Sequence, residues 1–237
     1  MNISAPPNLY THHRFPAEII SHGVWLYYRF CLSYRDVDEL LFARGVIVTY
    51  EAIRKWCLKF GQAYAHQLRR RRPRPGDKGH RDEVFLTING KRHYLWRAVD
   101  QDGNVLDILV QCRRDKNAAK KFFRKLLKGL RYVPRVIITD NLNSDGAAKR
   151  EILPGVEQRQ HRYLTNRAEN SHQPTRQRER RLQGFKSPGH APRFLSAYGP
   201  IAQHVRPRRH RLPAPAYRHV MAHRFQMWHE VTGTAAA

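Results

Sequence analysis

The chain has 237 residues, with 44 Lys+Arg against 19 Asp+Glu, a formal charge of 44 − 19 = +25. Its 41% hydrophobic and 11% aromatic content argues for a folded protein with a real core. The three cysteines, Cys31, Cys57 and Cys112, are odd in number and widely spaced, which excludes a disulfide scaffold and fits buried thiols in a reducing cytoplasm.

No stretch reaches the roughly 18 apolar residues of a membrane helix, and residues 1–15 lack the apolar core of a signal peptide. A charge of +25 self-repels unless a polyanion neutralises it, so nucleic acid is the first partner to consider.

Residues 15–70 read as helical. Pro16 opens a helix running towards Phe30. Ser33 and Asp36 form a capping-box start, after which Val37, Leu40 and Leu41 share a face. Gly45 ends that helix and Thr49 caps the next, where Ile53, Trp56, Cys57 and Phe60 recur at helical spacing. Arg54, Lys55 and Lys59 lie off this apolar stripe. A short helix, a turn and a second helix with basic outer residues is the pattern of a DNA-binding helix-turn-helix. A three-helix packing unit with a solvated basic face has the same pattern.

Residues 71–80 read as a basic linker. Around it Arg69, Arg70, Arg71, Arg72 and Arg74, broken by Pro73 and Pro75, suit a linker or a strap on phosphate, with Arg70 and Arg72 as contacts. The period then becomes strand-like. Val84–Ile88 and His93–Val99 flank Asn89-Gly90, a strong hairpin signal. Val105–Val110 reads as a third strand. Asn117–Leu130 forms a helix with Ala118, Phe122, Leu126 and Leu130 on one stripe, and Val136–Thr139 is a buried fourth strand. These elements predict an α/β catalytic domain over 81–187 with a mixed sheet and flanking helices, preceded by the all-α domain. Residues 188–237 read as a basic extension of short helices, the last over about Tyr217–Val231.

The scarce acids are the candidates for chemistry. Asp82 heads the first strand, Asp140 follows the fourth, and Glu169 lies in a helix. Two strand-edge aspartates and a helix glutamate can hold two Mg²⁺ ions for in-line phosphoryl displacement. Each has a plainer use: Asp82 can pair with Arg81 while Glu83 serves as ligand, Asp140 can cap a turn, and Glu169 can pair with Arg167 or Arg176. Alternation sends Asp82 and Glu83 to opposite faces, so only one can join a site. The scattered histidines lack cysteine partners, so zinc is not expected.

At these residues the chain resembles bacterial insertion-sequence transposases of the DDE type, close to the IS-six/IS-twenty-six family. The resembling stretches are residues 27–37 (Tyr27 to Val37), Asp82-Glu83-Val84-Phe85 and residues 94–103 (Tyr94 to Gly103). Thr139-Asp140, Asn166-Arg167-Ala168-Glu169-Asn170-Ser171-His172 and Arg176-Gln177-Arg178-Glu179-Arg180 complete them.

The resemblance implies an RNase H-like, integrase-like core after a helix-turn-helix that binds terminal inverted repeats. It also implies Asp82, Asp140 and Glu169 as catalytic and metal-holding triad, with Mg²⁺ as the ion and Mn²⁺ as a substitute. Arg176 takes the family's basic position, seven residues after Glu169, with Arg180 one turn on. Water would nick the transposon end, and the freed 3′-OH would attack target DNA in a replicative, cointegrate-forming reaction. Partners would be double-stranded DNA and further copies of the chain, as a homodimer or larger assembly at the bacterial nucleoid. The other class of function is a catalytically weak or inactive DNA-binding relative acting as a regulator. A pure regulator has no reason to keep the triad.

Overall fold

The computed structural model describes residues 9–72, 76–130, 133–139, 143–160, 166–204, 206–207 and 212–234, with the backbone alone for 143–145, 160 and 166–170. The chain divides into two compact units, residues 1–71 with 200–237, and residues 72–199.

The first unit contains α1 (Ala17–Arg29), α2 (Tyr34–Phe42), α3 (Tyr50–Arg70) and, from the end of the chain, α8 (Ala214–Thr232). Pro16 is the N-cap residue of α1. The Ser33–Asp36 capping box forms at α2, with both reciprocal hydrogen bonds made. Gly45 takes the left-handed φ of 76° that ends this segment, and Thr49 Oγ1 accepts from Ala52 N at the start of α3.

The expected α3 stripe of Ile53, Trp56, Cys57 and Phe60 is buried together with Tyr64, Ala65 and Leu68. The ring of Tyr28 lies so close to Gly61 that a Cβ there would sit 2.7 Å from its hydroxyl, and that hydroxyl donates to the Cys57 carbonyl. Aromatic contacts between Tyr64 and Trp228 and between Trp25 and Phe225 hold α8 to this unit. Two expectations are corrected here. Leu40 is 44% exposed, so Val37 and Leu41 alone face the core. Of the cysteines only Cys57 is buried; Cys31 and Cys112 are exposed, and all three are free thiols.

The second unit is built on a five-stranded mixed sheet. Its strands are β1 (Lys78–Ile88), β2 (Lys91–Asp100), β3 (Val105–Gln111), β4 (Val136–Thr139) and β5 (Glu157–Gln160), in the order β3-β2-β1-β4-β5. β1, β2 and β3 form an antiparallel meander, while β4 is parallel to β1 and β5 parallel to β4. Asn89 and Gly90 both adopt positive φ, 49° and 72°, as the tight hairpin turn requires. Asp100 closes the next turn by accepting from Asp102 N, Asn104 N and Asn104 Nδ2.

Helix α4 (Lys116–Leu130) starts where Asp115 Oδ1 accepts from Ala118 N. It packs Ala118, Ala119, Phe122, Phe123 and Leu126 onto one sheet face with Trp96, Ala98, Leu106 and Ile137. Helices α5 (Asn143–Ile152), α6 (Asn166–Arg181) and α7 (His190–His204) complete the fold. The result is the RNase H-like α/β architecture expected, with N-terminal helices preceding it.

The sequence reading missed α5 and β5. The strand Glu157-Gln158-Arg159-Gln160 is wholly polar because it forms the sheet edge, so it carries no apolar signal. β1 also begins at Lys78, within the stretch read as a linker, so Asp82 stands inside the strand rather than at its head.

Candidate active site

Strand alternation separates the two acids of β1. On the α4 face, Arg81 stacks over the Trp96 ring with its guanidinium carbon 4.2 Å from the centroid, and its Nη2 donates to Glu83 Oε2 at 3.0 Å. Arg114 donates from the other side through Nε to Glu83 Oε1 at 2.6 Å. The side chains of Arg81 and Glu83 are 1% and 2% exposed. Glu83 is thus enclosed by two guanidinium groups, those of Arg81 and Arg114.

Asp82 points to the opposite face, under α6. Its Oδ2 lies 3.5 Å from Nε2 of His172. Burial holds the His172 pKa well below the ordinary histidine range, and the positive charges of Arg97 and Arg176 add to that, so the ring is neutral near pH 7. The cross-strand partner of Asp82 in the β1–β2 ladder is Arg97. Arg97 is 4% exposed. Its Nη1 donates to the Ser171 carbonyl and its Nη2 to Thr175 Oγ1 at 2.5 Å, both on α6. Burial lowers its pKa to about 10, with Tyr198 and Asp82 opposing that shift, so it remains a cation. A buried guanidinium without an acceptor set costs several kcal/mol, and here α6 and Asp82 supply the compensation.

Helix α6 meets the sheet through His172, Thr175 and Arg178, each at most 1% exposed. Arg178 packs over the Phe194 ring of α7. This inner face is polar, so the helix is held by directed contacts rather than an apolar stripe. Asp140 lies outside the described residues, one position beyond the end of β4 at Thr139. Of Glu169 the backbone alone is described. It lies in α6 one turn before His172, on the helix face that carries that residue.

Arg176 and Arg180 are exposed on α6. In the first unit Lys55 is exposed. Arg54 is held by Glu51 through two hydrogen bonds of 2.7 and 2.8 Å. Lys59 Nζ meets His13 Nε2 at 2.8 Å, and Arg70 ends α3 exposed. Arg72 is half-buried and donates to the Val105 carbonyl at 2.6 Å, which gives it a role in the fold.

Sequence reasoning assigned no role to Arg97, His172 or Thr175. One signal was present: a lone arginine between Leu95-Trp96 and Ala98-Val99, inside a core strand, marks a buried charge that needs partners.

A buried carboxylate on the central strand of a mixed sheet, under a helix that brings a further acidic residue, defines the scaffold of a polynucleotidyl transferase. Residues 77–207, more than half the chain, match the DDE domain of IS240-type transposases, and the chain belongs to this family of insertion-sequence DDE transposases.

Two Staphylococcus aureus proteins are similar to it: the transposase for insertion sequence element IS257 in transposon Tn4003, and that for insertion sequence-like element IS431mec of strain Mu50. Each is 29% identical over 185 residues, covering 76% of this chain and 82% of the relative. Among solved structures, a chain of the simian T-cell lymphotropic virus intasome in complex with PP2A regulatory subunit B56 gamma aligns with a TM-score of 0.43 and 14% identity. That alignment covers 67% of this chain and 56% of the other, and the assignment does not rest on it.

Membership implies use of a divalent metal ion. Among the described residues no three His, Cys, Asp or Glu come together; Asp140 and the Glu169 side chain lie outside that description. No described helix is long and apolar enough to cross a membrane.

Proposed function

We propose that this transposase binds the terminal inverted repeats of its element through a helix-turn-helix formed by α2 and α3. On this reading it nicks the 3′ ends and joins them to target DNA in a replicative, cointegrate-forming reaction. The observation that carries the reading is the convergence of three chain segments. Asp82 lies in β1, and β4 runs parallel beside β1 with His80 opposite Ile138, two residues before Asp140. Helix α6 reaches Asp82 through His172, one turn after Glu169.

Asp82, Asp140 and Glu169 would hold Mg²⁺, with Mn²⁺ as a substitute. Carboxylate oxygens are the hard donors such ions take. When bound, the ions supply Lewis acidity to the attacking and leaving oxygens. The chain's own residues do the rest. Arg97 and His172 fix Asp82 between sheet and helix, and Arg176 and Arg180 offer guanidinium groups to backbone phosphates.

Water attacks phosphorus at the transposon end and the 3′ oxygen leaves as a hydroxyl. That hydroxyl attacks a target phosphodiester and displaces the target's own 3′ oxygen. Arg54, Lys55, Lys59 and Arg70 would contact the repeat, and the assembly on DNA would be a homodimer or larger, at the nucleoid.

The test is cleavage and strand joining on a duplex oligonucleotide carrying the element's end, in Mg²⁺, with Asp82→Asn as the comparison. Cleavage by the parent chain and none by the variant is expected. Binding without cleavage by the parent chain in either Mg²⁺ or Mn²⁺ overturns the enzymatic reading in favour of a DNA-binding regulator.

A further inference from the structure

Helix α6 contains a proline that weakens it close to Glu169. Pro174 has no backbone N–H, so the carbonyl of Asn170, four residues earlier, loses its helical donor, and the proline ring crowds that carbonyl. The turn that carries Glu169 is therefore joined to the rest of α6 by an interrupted hydrogen-bond ladder. Yet the proposed reaction needs that turn at a fixed distance from Asp82. A slip of one helical turn moves a residue about 5.4 Å, and a misplacement of about 1 Å can cost on the order of 10²-fold in rate.

One side chain makes contacts on both sides of the interruption. Arg97 reaches from β2 to the Ser171 carbonyl, three residues before Pro174, and to Thr175 Oγ1, one residue after it. A planar fork with parallel donors can span two acceptors one turn apart, which a lysine ammonium on a flexible stem cannot do with the same geometry. The same Arg97 is the ladder partner of Asp82. The Pro174 carbonyl is engaged as well, accepting from the Tyr198 hydroxyl of α7 at 3.2 Å. One guanidinium therefore refers both sides of the weakened helix to the strand position that faces Asp82.

We propose that Arg97 is a positioning residue, whose fork, with Thr175 as its side-chain acceptor, splints α6 across Pro174 and sets where the Glu169 turn stands relative to Asp82. This rests on the catalytic reading of Asp82 and Glu169, but the splint itself can be measured without catalysis.

The experiment uses the full chain and the variants Arg97→Lys and Thr175→Val, read by amide hydrogen exchange over residues 166–175, by Mn²⁺ binding in calorimetry, and by cleavage. Arg97→Lys is expected to raise exchange in 166–175 by about tenfold or more while β1 and β2 keep their protection. Mn²⁺ affinity falls with it, and cleavage drops by about 10²-fold. Thr175→Val, which removes one acceptor at nearly constant volume, gives a smaller change in the same three readings. Unchanged exchange in 166–175 for a folded Arg97→Lys overturns the splint. If Arg97→Lys loses protection everywhere, Thr175→Val decides, and unchanged exchange there overturns it equally. Cleavage by Asp82→Asn alongside loosened exchange in Arg97→Lys would fail the catalytic reading and leave the splint standing.

Discussion

Asp82 and Arg97 are direct partners across the β1–β2 ladder, so a carboxylate and a buried cation share the sheet face that α6 covers. One residue further along β1, Glu83 faces the other way into a cage of Arg81 and Arg114. Adjacent acids thus meet different surroundings, Asp82 beside His172 under α6 and Glu83 between two guanidinium groups. Glu83→Gln removes the charge that compensates buried Arg81 and is expected to destabilise the protein by about 3–5 kcal/mol in urea unfolding. Asp82→Asn is expected to abolish cleavage with a smaller loss of stability. A Glu83→Gln protein as stable as the parent would show that Arg81 finds its compensation elsewhere.

The parts of the fold that follow apolar periodicity were legible in the sequence. The α3 stripe, the Asn89-Gly90 hairpin and β4 stand where their patterns put them, because burial of one face dictates each pattern. The site was legible only in part. Asp82 could be placed on a strand, and alternation correctly separated it from Glu83. The inner face of α6 could not be read, since His172, Thr175 and Arg178 resemble a solvated helix face until Arg97 and Phe194 are known to lie against them. Directed polar contacts depend on residues distant in sequence, and no local period reports them. The edge strand β5 escaped for a related reason, since backbone pairing with β4 leaves no apolar pattern in the sequence.

The basic residues also divide by environment. Lys55 is exposed on α3, whereas Arg72 is tied to the Val105 carbonyl. Lys55→Ala is expected to make the slope of log K against log salt shallower by about 0.9, one phosphate contact. Arg72→Ala is expected to leave that slope alone and to lower stability by about 1 kcal/mol through the lost hydrogen bond. Filter-binding titrations at several salt concentrations, with urea unfolding alongside, separate the two. A slope change with Arg72→Ala would place that residue on DNA as well.

His204 supplies a pH dependence in the first unit. Its Nε2 is 2.7 Å from the Arg224 carbonyl, which accepts, so the neutral ring carries its proton on Nε2. Burial lowers its pKa below the ordinary histidine value; the Arg224 carbonyl opposes this, while the charges of Arg224 and His223 add to it. The unfolded chain therefore binds a proton more readily than the folded one. The stabilisation is complete above the unfolded value of about 6.5 and is lost as pH falls below it towards the depressed folded value. Thermal unfolding between pH 8 and 5 should show a falling midpoint, with His204→Gln flattening the slope. An equally steep slope in that variant would assign the effect to other histidines whose pKa burial lowers, such as fully buried His172 or half-buried His22 and His190.

The hairpin turn offers a way to separate stability from catalysis. Gly90 has φ of 72°, and an alanine there meets no neighbouring atom, so the cost of Gly90→Ala is conformational alone. A left-handed alanine costs about 1–2 kcal/mol, which chemical denaturation should register in full. The turn follows Ile88, and Ile88 is 88 − 82 = 6 residues along β1 from Asp82, or about 20 Å at strand rise. The β1–β2 register stays fixed by its ladder and by the buried rows on both sheet faces, so Asp82 keeps Arg97 opposite it. Gly90→Ala should therefore lose stability while its cleavage rate, measured well below the unfolding midpoint, stays within about twofold of the parent. A much larger loss of cleavage would have a definite location. Asn89 and Gly90 line a cavity of about 500 Å³ with Arg180 and Lys186, and the turn would then belong to the path of the DNA.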